Sequence, residues 1–127
     1  MTSKPLHLMA VSVGLLLGAG CASGPRPDNE LADSAASLKS ANELGARSVP
    51  PAALEYQLAQ DEMARANDHL AKKDNDIAKL ELWRAKVDAE LAIALVRENK
   101  AKADEQVAAD KLHALLRTGN GTAAQPQ

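Results

Sequence analysis

Ile77-Ala78-Lys79-Leu80-Glu81-Leu82-Trp83-Arg84-Ala85-Lys86-Val87-Asp88-Ala89-Glu90-Leu91-Ala92-Ile93-Ala94-Leu95-Val96 decides the fold of this chain. Nothing in it breaks a helix, and successive residues on a helix turn by about 100°. Placed that way, Ala78, Leu82, Ala85, Ala89, Ala92, Ile93 and Val96 fall on one side. Ile77, Leu80, Trp83, Val87, Leu91, Ala94 and Leu95 fall on the other. Lys79, Lys86, Glu90 and Arg97 fill one wedge between them, and Glu81, Arg84 and Asp88 fill the opposite one. A surface helix has one apolar stripe, and two nearly opposed stripes require two partners. The alanine side permits close backbone approach. The bulkier side, built on Ile77, Leu80, Trp83, Val87, Leu91 and Leu95, must be covered by an earlier helix of the chain, by a second copy, or by another protein; left open, it marks an interaction site.

This helix begins near Asn75 or Asp76 and meets no breaker before Gly119. Its roughly 40 residues span about 60 Å at 1.5 Å per residue. Arg97 to Gln106 is almost wholly polar, with Glu98 and Lys102 spaced for an i,i+4 pair, and reads as a solvated stalk. Val107, Leu112, Leu115 and Leu116 then return as a weaker second contact, and residues 118–127 are expected to be a disordered tail.

Upstream, Lys73-Asp74-Asn75-Asp76 has no apolar residue and reads as a tight turn into the long helix. A calcium loop would need a glycine at its sixth place and a glutamate at its twelfth, and both are absent. The preceding helix, from about Pro51 to Lys72, carries Ala52, Tyr56, Ala59, Met63, Ala66 and Leu70 at alternating spacings of four and three. Its stripe is expected to pack Ala59, Met63 and Ala66 against Ala78, Ala85, Ala89 and Ala92. Asp61 with Arg65 and Asp68 with Lys72 are spaced for exposed ion pairs. A first helix from Asp28, an N-cap type, to about Gly45 would present Leu31, Ala35, Leu38 and Ala41. With no Phe, one Trp and one Tyr in 127 residues, such a chain builds thin helical layers and no deep core. The expected fold is all-α, an antiparallel helical hairpin or a flattened three-helix layer over residues 28–117, with one long C-terminal helix.

The N-terminal stretch carries a different message. Lys4, an apolar run from Leu8 to Leu17, and Gly18-Ala19-Gly20 before Cys21 form the charged, apolar and small-residue parts of a secretory signal. The site resembles the lipobox of bacterial lipoproteins, with Gly18 where a branched residue is usual. The resemblance implies cleavage between Gly20 and Cys21, removal of residues 1–20, and acylation of Cys21. The apolar run is too short to span a bilayer, which takes about 20 residues. Residues 21–27, with Gly24-Pro25-Arg26-Pro27, read as lipidated cysteine and tether. Ala22 follows the cysteine where an Asp would resemble an inner-membrane retention signal, which implies an outer-membrane address facing the periplasm.

From Ala46 to Ala94 the pattern resembles the small bacterial lipoproteins grouped as domain of unknown function 4398. The likeness lies in Pro50-Pro51 opening a helix, Leu58-Ala59 within it, His69-Leu70-Ala71-Lys72-Lys73-Asp74 at the turn, and Ala78, Ala85, Ala89 and Leu91-Ala92 after it. The family usually has Gly-Asp where this chain has Lys73-Asp74, and it brings no established activity. The chain's spacing is only weakly similar to tetratricopeptide units, whose arrays need several stacked pairs.

A net charge of −2 gives no electrostatic footprint for nucleic acid. His7 leaves with the signal, and His69 and His113 sit on different helices with no metal-ligand spacing. No phosphate loop or nucleophile motif is present, and a thin alanine-rich hairpin encloses little volume for a small molecule. The expectation is therefore a non-enzymatic, lipid-anchored helical adapter or structural protein without cofactor or metal. Its partners would be membrane lipid, through acylated Cys21, and either another protein or itself. The other reading is a self-associating coiled-coil envelope spacer similar to the major murein lipoprotein; since the chain ends in Gln127 and not in lysine, it would lack covalent wall attachment.

Overall fold

The computed structural model describes residues 24–122. The signal segment, Gly20, Cys21 and the last five residues lie outside them. Among the described residues the fold is all-α: α1 (Asp28–Glu43), a single 3-10 turn (Ala46–Ser48), α2 (Pro50–Ala71) and α3 (Asn75–Thr122).

Each boundary has a local cause. Pro27 caps α1 and Asp28 is its first helical residue, not the N-cap as expected; Asp28 accepts from Arg26 Nε at 2.8 Å. Gly45 turns the chain out of α1 at φ 84°, a conformation open to a residue without Cβ. Pro50 and Pro51 occupy the first turn of α2, where a missing N–H costs nothing. Its C-terminus closes with two reversed hydrogen bonds: Lys73 N–H to the Leu70 carbonyl at 3.1 Å and Asp74 N–H to the His69 carbonyl at 2.9 Å. Lys73 sits between them at φ 62°.

α2 runs antiparallel to α3 and makes the larger contact with it, while α1 makes the smaller one and barely meets α2. α1 runs parallel to α3, since Glu30, Ser34 and Asp33 meet Lys79, Leu82 and Lys86 in turn. The seam is mostly alanine: Ala41, Ala46, Ala52, Ala59, Ala66, Ala78, Ala85, Ala89 and Ala92 are fully buried, with Tyr56, Leu70 and Leu82. Side chains this small let backbones approach closely, and the same small volume limits what burial contributes, because apolar stabilisation scales with area removed from water.

Four further expectations are corrected here. α1 turns Ser34 inward and leaves Ala35 exposed; Ser34 Oγ lies 2.5 Å from the Glu30 carbonyl of its own helix and 2.8 Å from the Leu82 carbonyl of α3, sharing its one proton between them. Met63 is half-buried, with the side chain of Glu62 beside it in the seam. Arg65 pairs with Glu62 and Glu81, not with Asp61, and Asp68 is not paired with Lys72. The long helix passes Gly119 and reaches Thr122, so residues 118–122 are helical where a tail was expected; one glycine costs a helix only about 1 kcal/mol and does not force a stop.

Candidate interaction surface

Both α1 and α2 lie on the alanine side of α3. The two charged wedges steer them there. Along one wedge, Lys79 pairs with Glu30 of α1 at 2.7 Å and Lys86 with Asp33 at 3.1 Å. Along the other, Glu81 is buried and accepts from Arg65 of α2 and from Arg84, both at 3.0 Å. The Arg65 bond crosses from helix to helix and leaves little choice of register.

Of the two wedges, the α2 side holds an unusual pair. Glu62 faces Asp88, and its Oε2 is buried without a hydrogen-bond partner. Burial, then the nearby Asp88 carboxylate, push the Glu62 carboxyl up to about 7. A proton on Glu62 resolves both facts, since the neutral carboxyl can donate to Asp88. His69 Nδ1 is also buried without a hydrogen bond, 3.6 Å from Asp74 Oδ2.

With α1 and α2 on one side, the opposite side of α3 stays open. Ile77, Leu80, Trp83, Val87 and Leu91 are exposed, Trp83 by 60% and the others by 40% to 48%. The first helix does not cover them. Leu95 is corrected: it is half-buried and packs against the cluster of Ala41, Ala46, Ala52, Tyr56 and Ala92. The close-packing residues Ala59, Ala66, Ala78, Ala85, Ala89 and Ala92 all lie in the seam. Beyond Arg97, α3 leaves the bundle, and Val107, Leu112, Leu115 and Leu116 are exposed.

A cavity of about 460 Å³ lies between the starts of α1 and α3, lined by Arg26, Glu30, Asn75, Asp76 and Lys79 among others. Within it Arg26 is paired with Asp28 and Lys79 with Glu30, and Asp76 lies close enough to Lys79 to act on its charge. Among the described residues no three His, Cys, Asp or Glu side chains are placed to hold a metal ion, and no helix is long and apolar enough to cross a membrane. Sequence reasoning did not single out Ser34 and Glu62, and it placed Asn75 only at the start of α3. Asn75 Nδ2 donates to the Gly24 carbonyl at 2.6 Å and fixes the tether against the start of α3.

The family model described as Domain of unknown function (DUF4398) matches residues 29–108, which spans α1, α2 and the packed part of α3. Neither the curated proteins nor the solved structures yield a match.

Proposed function

The chain belongs to the family of domain of unknown function 4398, and from that premise we propose that it is a non-enzymatic, lipid-anchored helical adapter or structural protein of the bacterial cell envelope, acting by helix-helix association. The observation that carries this reading is the open apolar face of α3. A monomer that exposes five large apolar side chains in one row, with Trp83 among them, carries a feature of interaction sites.

The tether supports the anchored geometry. Cys21 stands three residues before Gly24, whose carbonyl is held at the first turn of α3. An acyl anchor at Cys21 would therefore sit beside the start of α3, with the far end of that helix directed away. Its 48 residues make a rod about 72 Å long. Several acyl chains would hold such a rod stably, each buried methylene contributing about 0.8 kcal/mol. The outer membrane, facing the periplasm, is the address that Ala22 implies.

The test separates association from folding. Trp83→Ala and Leu91→Lys should leave helicity and thermal stability nearly unchanged while the native complex containing the chain shrinks. Loss of helicity with no change in complex size would make this face part of the fold and sink the proposal.

A further inference from the structure

Along α3, Glu90, Arg97, Asp104 and Lys111 recur every seven residues and alternate in sign. All four are exposed, and none forms an ion pair among the described residues, although their neighbours Lys79, Lys86 and Lys102 do. Beside this row runs a second one of the same period: Leu80, Val87, Ala94, Ala101, Ala108 and Leu115, flanked by Leu91 and Leu112. A seven-residue apolar row edged by charges is the arrangement of a helix that pairs with another helix. It crosses from the packed part of α3 into the part that leaves the bundle; in the packed part Glu90, Ala94 and Arg97 stand at the edge of the open face, lining a groove with Ala36, Ser37 and Ser40 of α1.

The sign pattern selects the partner. Read backwards, negative-positive-negative-positive becomes its own complement. We infer that the open face is covered by a second copy of the chain laid antiparallel, with Glu90 against Lys111 of the partner and Arg97 against Asp104 of the partner; this rests on the association reading above. Two-fold symmetry makes each pair twice. In that register Leu91 meets Ala108, Leu112 meets Val87, and Glu98 and Glu105 lie over Ala101 and Ala94 of the partner. Those small residues leave room for the carboxylates to reach water, and Glu98 already has Lys102 at 2.6 Å. A parallel pair fares worse. It would stack Glu98 on Glu98 and Glu105 on Glu105, and would bring Arg97 beside Lys102 of the partner.

The overlap from Leu80 to Gly119 is about 60 Å long and about 10 Å wide, roughly 600 Å² per partner. That is below the roughly 800 Å² per partner of standard stable complexes, so the dimer is concentration-dependent. The two tethers emerge at opposite ends of the rod, about 74 Å apart. A doubly anchored pair of this kind lies along a membrane surface instead of standing on it.

Sedimentation equilibrium of the chain from Ala22 to Gln127, which retains every described helix, tests this with reciprocal charge reversals. Glu90→Lys and Lys111→Glu should each weaken the dimer about tenfold at low salt, because favourable pairs become repulsive at two places. The double variant should return to within about threefold of the natural chain. A dimer indifferent to the reversals, or a double variant weaker than either single one, would overturn the antiparallel register and leave association intact. A fully helical chain that stays monomeric at every concentration would overturn the second copy as occupant; the shrinkage of the native complex on Trp83→Ala would then still report on association separately.

Discussion

Lys73 holds φ 62° between the two hydrogen bonds that close α2, and a side chain with a Cβ is strained there by about 1 kcal/mol or more. Lys73→Gly should therefore raise stability by about 0.5 to 1 kcal/mol, after the extra freedom glycine gives the unfolded chain is subtracted; a lowered Tm would show that Lys73 is held by contacts worth more than its strain. Glu62 makes the opposite kind of prediction. Its folded pKa of about 7 lies above the ordinary 4.5, so between these values the native state binds more protons than the unfolded one. The contribution of Glu62 to stability is then fully present below about pH 4.5 and falls as pH rises toward 7. Glu62→Gln should flatten that slope and raise the Tm at pH 8, and equal slopes in both proteins would exclude Glu62 as its source. Neither effect could be worked out from periodicity. The turn at Lys73-Asp74 was legible through the family's Gly-Asp, but the inward turn of Glu62 beside Met63 depends on Asp88 and Arg65 arriving from elsewhere in the fold.

Among the helices, α3 was the most legible, because a period of 3.6 residues separates its faces without reference to any neighbour. Ala78, Leu82, Ala85, Ala89 and Ala92 are buried as that period requires. Ala89→Leu should overpack the seam and cost about 1 to 3 kcal/mol, measured as a fall in Tm; unchanged stability would mean that the helices are not in close contact there. The occupant of the other face was not legible, since an apolar row states that it needs cover and does not state by what. The wedge charges show only that the occupant is not α1: Lys79 and Lys86 hold Glu30 and Asp33, so α1 stops at the edge of the alanine side. For α1 itself the pattern favoured Ala35, and a hydrogen bond across the seam favoured Ser34. The end of α3 was misplaced because glycine weakens a helix by an amount its neighbours can offset.

At the scale of the whole molecule, the proposal of a rod anchored at one end and associating along its side rests on a tether fixed beside the start of α3 and an open face along its length. Cys21→Ala should leave the protein unprocessed or released from the membrane fraction; a processed form that still fractionates with the outer membrane would refute acylation at that residue. Charge and composition were enough to read a thin, alanine-lined bundle, because nothing large is available to fill a deeper one. The central claim is that the side of α3 opposite the alanine seam is free in the single chain and covered on association. Trp83 is the only tryptophan and lies on that side, 60% exposed, so its fluorescence reports the claim directly. In dilute solution its emission should be that of a hydrated indole, readily quenched by iodide, and raising the concentration should shift it to the blue and protect it. Blue-shifted, protected emission already present in the dilute monomer would mean that the chain covers this face itself, and the account would be wrong.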